Sequence, residues 1–304
     1  MSGPGHLESL LRRGEFVVTS EIGPPRSADA SDIIAKAKAL KGYADAFNVT
    51  DNQAAMVRMS SMAGSIFCLQ EGLEPVMQMT CRDRNRLAMQ SDMLGAAALG
   101  VRNILCISGD HQRFGDHPDA KNVYDVDSSQ QLMMLRRMRD EGTVWTGAPL
   151  GVAPKLFLGA AANPFADPME LQVIRLANKV AAGADFIQTQ AIFDLERFET
   201  WMGMVRDEGI HKKVHIIAGV LPLRSARAAR YMIEKVPGML IPDAVVERME
   251  SAEDPKEEGL QICLETIELL KRTEGVQGVH IMPVGWESVL PRIVEEAGLL
   301  PRPL

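Results

Sequence analysis

Short apolar runs recur along the chain about every 30 residues, and between them apolar positions repeat every three or four residues, the pattern of strands joined by crossover helices. Eight runs read as strands: FVVTSEI (16–22), DAFNVT (45–50), PVMQMT (75–80), NILCIS (103–108), KLFLGAA (155–161), DFIQTQ (185–190), VHIIAGV (214–220) and GVHIMPV (278–284). In the intervening segments Leu87, Leu94 and Ala98 fall on one helical face, as do Val173, Leu176, Ala177 and Val180. Gly100 and Gly183 stand where such helices end in a left-handed residue. Eight alternating units close most economically into a single-domain (β/α)8 barrel over residues 1–304, with an open doubly wound sheet as the alternative. Two connections, 109–154 and 221–277, exceed the period. The first holds the polar segment GDHQRFGDHPDAKNVYDVDSS, followed by a helix that Asp127 or Ser128 caps. A long loop after a barrel strand usually serves the active-site face.

The balance of 46% hydrophobic and 24% charged residues agrees with a folded domain. A net charge of −7 argues against nucleic acid or an anionic membrane as the main partner, while leaving room for a local basic pocket. Cys68, Cys81, Cys106 and Cys263 show no C-x-x-C spacing, so a disulfide framework or zinc knuckle is not expected. With no secretory pattern at the start and no long apolar run, a cytoplasmic protein is expected. The six histidines never form H-x-x-x-H, and no metal site is expected. The 18 methionines are spread among the helices and read as core filler.

In a barrel the C-terminal strand ends face the ligand, which selects Glu21, Thr50, Gln78, Thr80, Asp110, Gln188 and Gln190. Glu21 ends an apolar run before Gly23-Pro24-Pro25; a partly desolvated carboxylate there suits a general acid, and an arginine-paired rim carboxylate is the alternative. Asp110 follows Ser108-Gly109, a turn in which the backbone approaches a ligand closely but which is also common without function. Periodicity alone puts Lys179 on a solvated helix face. Arg82, Arg84 and Arg86 in CRDRNR suit either a phosphate-facing patch or a salt-bridged helix start.

Taken in order, TSEIGPP (19–25), NVTDN (48–52), MTCRDRNR (79–86), ISGD (107–110), AGADFIQTQAIFD (182–194) and AGVLP (218–222) resemble the flavin-dependent methylenetetrahydrofolate reductases over nearly the whole chain. The resemblance implies a (β/α)8 barrel with a flavin, FAD sooner than FMN, at its C-terminal face. It implies reduction of 5,10-methylenetetrahydrofolate to 5-methyltetrahydrofolate by hydride transfer from that flavin. By position it makes Glu21 the acid that protonates the folate as its ring opens, Asp110 a residue near both flavin and pterin, and Gln190 a folate ligand. Thr50, Gln78, Tyr124, Asn163 and Lys179 become flavin contacts, which turns Lys179 inward. Expected partners are the folate and either NAD(P)H or an electron-donating partner subunit, in an oligomer.

The chain departs from the better-known pattern at several points. Gln78 and Ser108 replace a histidine and an arginine, and GAAANP (159–164) replaces a tyrosine-proline-glutamate-x-histidine-proline run. Ala226 stands where familiar bacterial members carry an aromatic residue that stacks on nicotinamide and folate. Two rival readings are a pterin-binding methyltransferase barrel without flavin, which would be colourless, and an inactive scaffold subunit. Retention of Glu21, Asp110 and Gln190 together speaks against the scaffold.

Overall fold

Strands buried on both faces must be covered by helices outside and filled by side chains inside. The computed structural model describes residues 3–236 and 238–303 and meets both demands. Eight parallel strands, β1 (Val17–Ile22), β2 (Ala46–Val49), β3 (Pro75–Thr80), β4 (Asn103–Ile107), β5 (Phe157–Ala162), β6 (Phe186–Ala191), β7 (His215–Val220) and β8 (Val276–Ile281), close in sequence order into a barrel. Closure is made by β1, which pairs Thr19 with Ala46 of β2 on one side and with His280 of β8 on the other. The chain is therefore a (β/α)8 barrel and not an open sheet.

Helix α1 (His6–Arg12) caps the N-terminal mouth. Around the barrel follow α2 (Ser31–Leu40), α3 (Ser61–Gln70), α4 (Arg86–Ala98), α5 (Ser128–Asp140), α6 (Met169–Ala182) and α7 (Leu195–Asp207). The long second connection folds into α8 (Ala226–Lys235), α9 (Asp243–Ser251) and α10 (Pro255–Leu270), and α11 (Leu290–Glu296) completes the ring. Asp127 caps α5 in a full capping box with Gln130, and Gly183 ends α6 at φ 115°. Among the described residues no helix is long and apolar enough to cross a membrane.

Two expectations from periodicity are corrected. The buried face of α4 is Met89, Met93 and Ala96, whereas Leu87 is 74% exposed. The alanine-rich helix offers two faces of similar apolarity, and the bulkier methionines take the core. The last strand begins at Val276 and ends at Ile281, because Pro283 has no N–H to extend the ladder.

The barrel interior is layered by the period-two alternation of the strands. Its floor is apolar: Leu7, Leu10 and Leu11 of α1 pack against Val17, Ala46, Val76, Leu105, Phe157, Phe186 and Ile217. Phe157 and Phe186 stack at 5.2 Å between ring centroids, and Gly159 leaves the space: a Cβ there would lie 2.2 Å from the Phe186 ring. Gly159→Ala is expected to destabilise the fold by about 1–3 kcal/mol, the usual cost of overpacking. Chemical denaturation checks this, and an unchanged midpoint would show that the layer yields freely. Two residues further along β1, β2, β3, β6 and β8, the interior turns polar.

Candidate active site

The polar layer consists of Thr19, Asn48, Gln78, Gln188 and His280, all buried. Asn48 and Gln188 exchange amide hydrogen bonds, Nδ2 to Oε1 at 2.7 Å and Nε2 to Oδ1 at 3.1 Å. Gln188 Nε2 also donates to Thr19 Oγ1 at 3.3 Å, and Thr19 Oγ1 lies 2.9 Å from His280 Nδ1. The opposite edge of that ring faces Glu21, with His280 Nε2 3.5 Å from Glu21 Oε1. Two turns of alternation along β1 thus carry Val17 into the floor, Thr19 into the polar layer and Glu21 to the mouth.

Above this layer lie two adjoining cavities. The inner one, about 430 Å³, is walled by Glu21, Gln78, Asn163, Arg175, Lys179 and Gln190 among others. The outer one, about 1050 Å³, reaches Asp110, Phe114, Arg224, Arg227 and Tyr231. Glu21, Gln190 and Met282 belong to both walls, so the carboxylate and the amide sit where the two spaces meet.

Helix α6 turns Arg175 and Lys179, one helical turn apart, into the inner cavity. Lys179 Nζ donates to the Ala161 carbonyl at 2.5 Å. Burial pushes its ammonium below the usual lysine range, and the Arg175 guanidinium pushes the same way. Neither cation forms an ion pair among the described residues, and the exposed Arg175 with the half-buried Lys179, facing one open cavity, suits an anionic ligand. The inward Lys179 agrees with the family resemblance and not with its periodicity.

The loops after β2 and β4 form the far wall. They touch at Gly115, where a Cβ would lie 1.9 Å from the Ala55 carbonyl oxygen. Asn52, Ala54 and Ala55 have φ of 46°, 56° and 58°, a run of left-handed non-glycine residues beside the outer cavity. Asn52 Oδ1 helps hold the turn by accepting from Arg58 N at 3.0 Å. Arg82 donates to the Asp110 carbonyl at 2.9 Å and forms an ion pair with Asp83, fixing the start of the β4 loop.

The three arginines of CRDRNR resolve as structural. Arg84 grips the buried Asp51 at 2.8 and 3.2 Å, and Arg86 pairs with Asp125 at 2.7 Å. Of the residues selected from sequence, Glu21, Gln78, Asn163, Lys179 and Gln190 line the inner cavity and Asp110 the outer one. Thr50 lies behind the wall, buried with its Oγ1 unpartnered, and Tyr124 is partly exposed with its hydroxyl donating to the Gly109 carbonyl at 3.2 Å. Neither is in the lining of either cavity. Ala226 packs into the apolar cluster of Ala191, Phe193 and Leu221 instead of facing the outer cavity. Arg175, Asn48 and His280 escaped the sequence reading. Arg175 had a signal in its four-residue spacing from Lys179, and Asn48 and His280 in their inward strand parity. Among the described residues no cluster could hold a metal ion, and all four cysteines are free and buried.

The sequence model of methylenetetrahydrofolate reductase matches residues 6–298. The chain belongs to this family. It is 25% identical over 233 residues to methylenetetrahydrofolate reductase 1 of Schizosaccharomyces pombe, covering 75% of this chain and 36% of the relative. It is 22% identical over 297 residues to the 5,10-methylenetetrahydrofolate reductase of Escherichia coli, covering 95% of this chain and 93% of that one. The chain thus spans about a third of the length of the yeast relative and nearly all of the bacterial one. A solved Clostridium thermocellum protein, described as binding two copies of 5-methyl-5,6,7,8-tetrahydrofolic acid, shares the barrel with a TM-score of 0.66 at 13% identity, over 96% of both chains.

Proposed function

We propose that this chain reduces 5,10-methylenetetrahydrofolate to 5-methyltetrahydrofolate with a bound flavin, and that Glu21 is the proton donor. The observation that carries the reading is the position of Glu21 and Gln190 on the wall common to both cavities, in a chain of this family. A flavin, when bound, supplies the hydride.

The residues present fit such a group. Lys179 and Arg175 offer unpaired positive charge to its anionic part, while Gln78 and Asn163 offer amides within the same cavity. Asp110 borders the outer space from the loop after β4, while the unpartnered Thr50 hydroxyl is buried behind the wall and outside both linings. FAD is favoured over FMN because the two cavities adjoin and the second is larger.

Glu21 gives its proton to the amine nitrogen of the folate's five-membered ring as that nitrogen's bond to the bridging carbon breaks. The electron pair of the broken bond stays on the protonated nitrogen, and the carbon is left as an iminium ready to accept hydride. Gln190 orients the pterin by hydrogen bonding, and Asp110 offsets the positive charge of the iminium. The test is the absorption spectrum of the purified protein together with the mass of the released chromophore. A yellow protein holding one flavin per chain is expected. A colourless protein that takes up neither FAD nor FMN would overturn the reading and favour a pterin-binding methyltransferase.

The electron source follows from the outer wall. Ala226, where the resemblance expects an aromatic platform, packs into an apolar cluster and offers that wall no stacking surface, a loss on the order of 1 kcal/mol. The bound flavin is therefore expected to be reduced much faster by an artificial one-electron donor such as reduced viologen than by NADH or NADPH, consistent with a separate electron-donating partner. Stopped-flow reduction of the isolated chain checks this. Rapid reduction by micromolar NADH would contradict it and transfer the platform role to Phe114 or Tyr231, the exposed aromatics of the outer cavity.

A further inference from the structure

The geometry points to His280 as the positioning residue for Glu21: held as its Nε2–H tautomer by Thr19, Gln188 and Asn48, it directs that N–H at the Glu21 carboxyl, 3.5 Å away, and so aims the group at the junction of the two cavities. This inference rests on the proposed role of Glu21 and adds to it a residue that no strand-end or motif argument selects.

The tautomer follows from counting donors along the buried network. One Gln188 Nε2 hydrogen is given to Asn48 Oδ1 and the other points to Thr19 Oγ1, 3.3 Å away. Thr19 Oγ1 accepts that bond and retains one hydroxyl hydrogen, and the acceptor in reach is His280 Nδ1 at 2.9 Å. The Gln188 hydrogen directed at Thr19 lies on this same side of the ring, with Nε2 3.5 Å from Nδ1. Nδ1 therefore accepts, and in the neutral ring the proton is on Nε2. Nε2 faces Glu21 Oε1 at 3.5 Å. The reverse tautomer would bring the Nδ1 hydrogen against the hydroxyl hydrogen of Thr19.

Placement explains why such a device is needed. Glu21 has a three-torsion side chain at the open end of β1, and among the described residues no arginine or lysine pairs with it. His280 is the register partner of Thr19 across the β1–β8 closure, nearly fully buried, and its ring is fixed from below. A rigid donor thus meets a flexible acid. After Glu21 has released its proton, the same Nε2–H stabilises the carboxylate and keeps it in place for the next turnover.

The test uses variants that separate the two ring nitrogens. In His280→Gln the side-chain amide reaches the Nε2 position, whereas in His280→Asn it reaches only the Nδ1 position. The measurement is reoxidation of the chemically reduced, flavin-loaded chain by methylenetetrahydrofolate, with Glu21→Gln in parallel. His280→Asn is expected to slow the folate step by about tenfold or more, the scale of losing one charge-assisted hydrogen bond. The effect is expected in the limiting rate and not in folate affinity, and His280→Gln should recover most of the rate. Equal rates for the two variants, or a wild-type rate in His280→Asn, would overturn the positioning role while a dead Glu21→Gln upheld the acid. An active Glu21→Gln would remove both claims.

Should His280→Asn fail to fold, Thr19→Val against Thr19→Ser tests the same chain, with loss expected only for valine. An independent readout is the long-range nitrogen–proton spectrum of the imidazoles in the resting protein. An Nε2–H pattern for His280 is expected, and an Nδ1–H pattern would overturn the inference.

Discussion

Replacement of Glu21 by glutamine is expected to abolish folate reduction while leaving the cofactor bound and reducible. The amide side chain would keep the volume and the hydrogen-bonding reach of the carboxylate but could not deliver a proton. Loss of a general acid costs about 10²- to 10⁴-fold in rate. The deficit should appear only when methylenetetrahydrofolate is the oxidant. Reduction of the bound cofactor by an artificial donor requires no acid at this position and should proceed at the wild-type rate. Separate single-turnover measurements of the two half-reactions distinguish these outcomes. A variant slow in both would indicate a distorted cavity and not a missing proton.

The second large effect is expected at α6. Arg175 and Lys179 are turned into the inner cavity without a carboxylate partner among the described residues. Truncating either to alanine removes a charge-assisted contact to an anionic cofactor, worth about 1.5–3 kcal/mol, or roughly ten- to hundredfold in Kd. Arg175→Glu, which places a carboxylate against the same anion, should yield an apoprotein. Lys179 adds a pH dependence whose sign is fixed. Its ammonium is held below the usual lysine range by burial and by Arg175, and only the protonated form attracts an anion. Cofactor affinity should be full below that lowered value and fall as the pH rises through it, while Lys179→Arg should remain flat over the same range. Equilibrium titration of the apoprotein with flavin at several pH values measures both. Equal affinity in wild type, Lys179→Ala and Arg175→Ala would remove α6 from the cofactor site.

The barrel was legible because its signals are local. Each strand is a short apolar run, and period-two parity within a run decides which side chains face the axis. The strand-end rule selected Glu21, Gln78, Gln188 and Gln190, which do reach the interior or the mouth, together with Thr50 and Thr80, which lie outside both linings. Parity also marks Asn48 and His280, but their polarity carries meaning only once the ring is closed. Thr19 and His280 are 261 positions apart and become neighbours solely because β8 returns to β1. A histidine considered only for metal spacing gives no hint of that contact.

Helices proved less readable than strands. In α4 the apolar residues wrap so far around the helix that pattern alone chose Leu87, which faces solvent. In α6 the inward lysine contradicts simple amphipathicity, because the desolvation of a cation beside the cavity is offset only when an anion is present. The arginines of CRDRNR show the opposite case. Their charge suggested a ligand, yet Asp51, Asp83 and Asp125 supply the counterions. Those aspartates lie up to 39 positions away, and their pairing depends on how the β2, β3 and β4 loops meet.

The most direct test is anaerobic mixing of the chemically reduced, flavin-loaded chain with 5,10-methylenetetrahydrofolate in a single turnover. Reoxidation of the flavin with formation of one equivalent of 5-methyltetrahydrofolate is the predicted result, and it should vanish in Glu21→Gln. A flavin that stays reduced in the wild-type chain, or product formed equally well by Glu21→Gln, would contradict the account.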